Sequence, residues 1–255
     1  MARIGFVLIA TVLLLGVTSA SAEPVTLVTL GDSLTVGDGD EAGGGYPSRL
    51  LKKLSKEAPG STLKNLAQSG WTSDDLINTQ LEPAVASLRA APGSAPKLAL
   101  IWIGSNDLFG LYNWVCDEDF RNDYAACESD GMRIFSDNIG TILASLKATG
   151  ARLYIALLDD QSKRPVMTDP ALRSASFDKI TADDVPKMSA QTRKYNDVIR
   201  KAASAHGATT VDFFDTAIFE NAATLSEDGN HPNGAGYAAI AKIWHRAITG
   251  SKPGD

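Results

Sequence analysis

Five short strand-like runs, each separated from the next by a stretch of helical periodicity, constrain this chain more than any other feature. They cover residues 25–30, 62–67, 98–103, 153–158 and 209–213. The third is apolar throughout, as a strand buried on both faces must be. Between the runs, Pro47 opens a helix through Leu50, Leu51 and Leu54 that Pro59-Gly60 stops. Ser73, with Asp74 and Asp75 behind it, has the pattern of an N-cap for a helix to Ala90 that Pro83 kinks or divides. Ile134, Ile142, Leu143 and Leu146 mark another helix, ended near Gly150, and Tyr195, Val198 and Ile199 mark one ended by Gly207. A last helix follows Pro232, with Ile240, Ile243 and Trp244 turned inward, whereas 159–185 reads as polar and irregular. Strands alternating with helices imply a parallel sheet covered on both sides. The expected fold is therefore α/β: a flavodoxin-like, three-layer α/β/α sandwich around a five-stranded parallel sheet.

The first residues stand outside that pattern. Arg3 precedes an apolar run over 4–17, and Ala20-Ser21-Ala22 offers small residues for cleavage. This is the form of a secretory signal peptide. The run is shorter than the roughly 18–20 apolar residues of a spanning helix, so no stable membrane anchor is expected. Residues 1–22 are assigned to the signal and 23–255 to one domain, with cleavage between Ala22 and Glu23 and a periplasmic or secreted product. The net charge of −6 becomes about −7 once Arg3 is removed with the signal. An acidic chain without basic runs is a poor partner for nucleic acid. The two cysteines, Cys116 and Cys127, are expected to pair in an oxidising compartment, closing a short loop.

The carboxyl ends of the strands carry the chemistry. Gly31-Asp32-Ser33-Leu34 follows the first run, and Asp228-Gly229-Asn230-His231-Pro232 precedes the last helix. Serine hydrolysis needs a hydroxyl nucleophile, a base to take its proton and a carboxylate to hold the base in one tautomer. Ser33, His231 and Asp228 supply these in turn. Asp228 stands three positions before His231, a spacing that lets the carboxylate meet Nδ1–H across a turn. Gly70 follows the second run, in Gln68-Ser69-Gly70-Trp71, and Asn106 follows the third, in Gly104-Ser105-Asn106-Asp107. In open parallel sheets ligands bind beyond these strand ends, so one rim gathers all four blocks. The nucleophile-elbow pattern G-x-S-x-G is absent, since Thr35 stands where its last glycine would be.

In their order, these blocks resemble the SGNH/GDSL hydrolase family, which is named for its Ser, Gly, Asn and His. The resemblance implies the same α/β/α fold (the SGNH hydrolase fold). It also implies an oxyanion hole formed by the backbone N–H of Ser33, the backbone N–H of Gly70 and the side-chain amide of Asn106. Within the family the chain looks most like exported bacterial esterases, lysophospholipases and arylesterases.

Other candidates were weighed at the same rim. Asp38 and Asp40 are spaced like the first ligands of a calcium loop, but Ala42 and Arg49 stand where later ligands belong. The glycine-rich stretch 37–45 is expected instead to be a mobile loop beside the nucleophile. No ligand set meets a metal's needs, so neither metal nor cofactor is expected. Asp159-Asp160 reads as a solvated pair. Trp71, Phe109, Tyr112 and Trp114 are expected to wall an apolar or aromatic acyl pocket. The expectation is an exported serine esterase that takes a small-molecule ester or an acylated lipid or glycan. Alternatives are a polysaccharide O-acetylesterase and, in a different class, a non-catalytic envelope- or carbohydrate-binding module. The sequence leaves the oligomeric state open.

Overall fold

A computed structural model describes residues 22–116 and 123–250. The signal segment expected over 1–22 lies outside these residues except for Ala22. Five parallel strands form one sheet in the order β2-β1-β3-β4-β5: β1 is Thr26–Gly31, β2 Thr62–Asn65, β3 Lys97–Trp102, β4 Arg152–Leu157 and β5 Thr209–Asp212. The central strands β1, β3 and β4 are buried after their first residue, whereas the edge strands β2 and β5 are mostly exposed or half-buried. That is why the three inner runs are the most apolar stretches of the mature sequence. Strand order reverses between β1 and β3, and a crevice opens there at the carboxyl ends.

Helices cover both faces. The short α1 (Ser33–Val36) leads to α2 (Gly45–Glu57). After β2 come α3 (Ser73–Thr79) and α4 (Leu81–Ala90). After β3, α5 (Ser105–Gly110) runs into a π-helical turn, Leu111–Val115, and the long α6 (Tyr124–Lys147) returns to the sheet. Beyond β4 lie α7 (Pro165–Thr168), α8 (Pro170–Ser176) and the long α9 (Asp184–His206), and α10 (Gly234–Thr249) closes the fold.

Several boundaries differ from the sequence expectation for local reasons. Thr72, not Ser73, caps α3: its hydroxyl accepts from Asp75 N while Asp75 Oδ2 accepts from Thr72 N, a reciprocal capping box. The break before α4 falls at Gln80 rather than at Pro83. Pro83 has no N–H for the carbonyl of Thr79, four residues upstream, so the interruption appears there. The Gln80 side chain, freed at the break, donates to Gly31 O and accepts from Gly31 N, both at 2.9 Å, which fixes the end of β1.

The main core lies around the sheet and is anchored by aromatic packing. Trp102 stacks on Phe213 at 4.1 Å between centroids, and Tyr46 stacks on Trp244 at 5.5 Å. A second apolar cluster lies beyond the carboxyl rim and gathers Leu108, Phe109, Leu111, Tyr112, Val166, Met167, Ile180 and Met188 around the Cys116–Cys127 disulfide. The segment 159–185, expected to be polar and irregular, therefore contains short helices and supplies Val166, Met167 and Ile180 to this cluster. Ile134, expected in the core, is exposed, and Phe135 and Ile139 take the inward positions.

Candidate active site

The first turn after β1 presents Ser33. Asp32 caps that turn, with Oδ1 accepting from Leu34 N at 3.0 Å. The turn before α10 presents the other two groups. Asp228 Oδ1 accepts from the backbone N–H of Asn230 (2.8 Å) and of His231 (2.9 Å), and Oδ2 lies 2.6 Å from His231 Nδ1. The other ring nitrogen, Nε2, lies 2.9 Å from Ser33 Oγ. An ionised carboxylate only accepts. The proton therefore sits on Nδ1, and Nε2 keeps a lone pair for the Ser33 hydroxyl. Partial burial would raise the Asp228 pKa, but the imidazole and the two backbone donors outweigh it and hold the carboxyl well below its ordinary range. The group stays ionised wherever the imidazole can act as a base. Residues 198 positions apart are thus brought into one hydrogen-bonded line.

Gly70 lies on the same rim. Its φ of +84° is a left-handed conformation that glycine adopts without steric cost, and a Cβ built there meets no atom within 4 Å. The position thus faces open space, and backbone conformation, not crowding, calls for glycine. Asn106 Nδ2 donates to Trp71 O at 2.9 Å. One amide hydrogen is held there, and the second remains for an incoming oxygen. The neighbouring Asp107 serves the scaffold. Its carboxylate accepts from Ser73 N (2.9 Å) and Ser73 Oγ (2.5 Å), and Asn138 Nδ2 donates to the same Ser73 hydroxyl at 3.0 Å. Enclosure pushes the Asp107 carboxyl up to about 6 in spite of the Ser73 bonds.

Beside Asn106 opens a cleft of about 420 Å³. Leu111, Trp114, Val115 and Ile134 line it, with Asp74, Asp130 and Arg133 at its edge. Trp114, Val115 and Ile134 are the large hydrophobic side chains most exposed among the described residues. The wall expected from the sequence is therefore corrected. Phe109 and Tyr112 do not line it. Phe109 is buried and stacks on Phe177 at 4.4 Å, and Tyr112 is buried with its hydroxyl donating to Glu128 Oε1 at 2.6 Å. A π-helical turn shifts side-chain directions relative to α-helical spacing, so Leu111 joins Trp114, itself expected, in facing the cleft. Trp71 is half-buried, and its indole N–H donates to Thr79 Oγ1 at 2.7 Å.

Two further expectations are corrected. The stretch 37–45 is tethered: Asp40 is buried, accepts from Gly45 N at 3.1 Å and pairs with the Arg49 guanidinium through both oxygens. Asp38 is held through its carbonyl, which accepts from Tyr237 OH at 2.8 Å. Nor is Asp159-Asp160 solvated. Both residues are buried, and Asp159 is paired with the buried Arg164. A lone charged residue carries no sequence signal of a distant partner, so nothing in the sequence marks Arg164. Asp32 is buried too, and its Oδ2 has no hydrogen-bond partner among the described residues. Desolvation pushes its carboxyl up to about 7, against the pull of the Leu34 N–H, Arg164 and His231.

Comparison with known proteins bears on the family and the fold. A curated multidomain esterase of Ruminococcus flavefaciens is 25% identical over 248 residues. The match takes in 91% of this chain but 29% of that protein, so the chain spans under a third of its length. The uncharacterized protein YpmR of Bacillus subtilis is 23% identical, with 89% of this chain and 82% of that protein covered. Among solved structures, a variant of Axe2, an acetyl xylan esterase from Geobacillus stearothermophilus, superposes with a TM-score of 0.62 at 20% identity. It covers 91% of this chain and 98% of its own. An extracellular lipase from Streptomyces rimosus gives 0.60 at 17% identity, with 89% and 100% covered. At such identities these two structures attest to the shared fold. The family model for the GDSL-like lipase/acylhydrolases matches residues 29–239, from within β1 to within α10, and the chain belongs to that family of ester hydrolases.

Proposed function

We propose that the chain is an exported serine esterase that hydrolyses carboxylic esters with a medium-length or aromatic acyl group through an acyl-enzyme. The observation that carries this reading is the unbroken line from Asp228 through His231 to Ser33 Oγ. Ser33 Oγ attacks the ester carbonyl carbon while His231 Nε2 takes its proton. The carbonyl oxygen becomes an oxyanion that accepts from Ser33 N, Gly70 N and Asn106 Nδ2. Collapse breaks the carbon–alkoxy bond, and the departing alcohol takes the proton from His231. Water, deprotonated by the same imidazole, then attacks the acyl group, and Ser33 Oγ leaves with that proton as the carboxylic acid departs. Asp228 keeps the imidazole oriented and offsets its charge while protonated.

The acyl group is assigned to the cleft of Leu111, Trp114, Val115 and Ile134. An apolar wall gains about 0.8 kcal/mol for each methylene it covers, enough to favour longer acyl groups over acetyl. Export rests on the amino-terminal segment and on the disulfide. No helix among the described residues is long and apolar enough to cross a membrane.

The test is a p-nitrophenyl ester series from acetyl upward, run beside acetylated xylan and lysophospholipid, with Ser33→Ala as control. kcat/KM should climb from acetyl to medium chains, and Ser33→Ala should lose turnover and fluorophosphonate labelling while keeping its circular dichroism. An active Ser33→Ala protein would sink the nucleophile assignment. Strict preference for acetylated xylan would replace the acyl reading with that of a polysaccharide O-acetylesterase.

A further inference from the structure

Outside the Ser33–His231–Asp228 line, the most heavily built polar group is the Arg164 guanidinium. It is 1% exposed, and each of its three nitrogens is engaged. Nε and Nη2 donate to the two oxygens of Asp159, at 2.8 and 2.6 Å, and Nη1 donates to Asn230 Oδ1 at 2.7 Å. The plane also lies over the ring of Phe219, 4.8 Å from its centroid. Asp159 stands just beyond the end of β4, and Asn230 stands between Asp228 and His231. The backbone makes a parallel link, since Val166 N donates to Gly229 O at 3.0 Å. Packing closes what remains: a Cβ on Gly229 would come within 3.0 Å of Leu172, Pro165 and Val166 N.

We infer that Arg164 is a positioning residue for the reaction, acting through Asn230. Asn230 donates its own N–H to Asp228 Oδ1, so a shift of its side chain moves the group that orients His231. Buried charge of this kind contributes little net stability when paired, whereas a bidentate arginine fork fixes direction closely. Anchoring to the carboxyl end of β4 holds the turn to the same sheet that carries Ser33. Displacement of reacting groups by about 1 Å can cost on the order of a hundredfold in rate.

The inference rests on the serine-esterase reading, and the experiment separates the two. Asn230→Ala removes the acceptor and leaves the Arg164–Asp159 pair in place. It should lower kcat about tenfold or more, leave KM for the best p-nitrophenyl ester within about twofold, and change Tm little. Fluorophosphonate labelling of Ser33 should slow in proportion. Arg164→Gln should lower kcat at least as much, and the double variant should fall no further than Arg164→Gln alone, because both act through one contact. Full kcat in Asn230→Ala, or independent losses multiplying in the double variant, would overturn the positioning role. If Arg164→Gln fails to fold, Asn230→Ala alone decides. Retained activity in a parallel Ser33→Ala protein would instead overturn the underlying reading.

Discussion

Single side chains in this protein do their work through what holds them. Asn106 reaches the rim with one amide hydrogen already committed to Trp71 O, which restricts its rotation and aims the other. A preorganised donor acts on charge that develops only in the transition state. Asn106→Ala is therefore expected to lower kcat by about 10²–10³-fold with KM little changed on a saturating short-chain ester. A loss confined to KM would demote Asn106 to a substrate contact. Asp32 makes a different prediction. Its carboxyl is pushed up to about 7 from 3.8 by burial, so between those values the folded state binds a proton that the unfolded state has released. Stability then falls as pH rises through that window and stays lowered above it. Asp32→Asn keeps an oxygen for Leu34 N and removes the ionisation. Its Tm relative to the parent should be higher at pH 8 than at pH 5 by several degrees, on the order of a few kcal/mol. Equal differences at the two pH values would contradict this origin. Asp228 has the opposite sign: its lowered pKa contributes stability that is lost in acid.

At the scale of elements, legibility followed the range of the interaction. The Asp228–His231 turn spans four residues, and glycines mark the ends of β1 and β3, so these were visible in the sequence. The Gln80 clamp on Gly31 and the Arg164 contact with Asn230 join positions 49 and 66 residues apart, and nothing local encodes such pairs. The aromatic stretch after Asn106 was ambiguous for another reason. Apolar residues following a strand can face a ligand or a core, and the π-helical turn that decides between them follows no α-helical period. The structure divides the roles, and two variants can check the division. Trp114→Ala should flatten the rise of kcat/KM with acyl length while leaving acetyl-ester turnover nearly intact. Tyr112→Ala removes a buried ring and its bond to Glu128, so it should lower Tm and change the chain-length profile little. A Tyr112→Ala protein of normal stability but altered profile would reverse the assignment.

Across the whole molecule, the sheet order brings groups from the two ends of the sequence to one crevice. β1 carries Ser33, while the turn bearing His231 follows β5 at the edge, so the two meet only when β1, β3, β4 and β5 are in place. Refolding should show this. Far-ultraviolet circular dichroism should recover before Ser33 becomes reactive toward a fluorophosphonate, and simultaneous recovery would argue against it. The same separation has a meaning in time. Ser33 and His231 are 198 residues apart, which at roughly 5–20 residues per second of synthesis is about 10–40 s. If Ser33 and His231 act as proposed, the growing chain holds its serine through that interval without its base. On the proposed mechanism, a chain that ends before His231 holds its serine without its base, and hydrolysis waits for the turn that precedes α10.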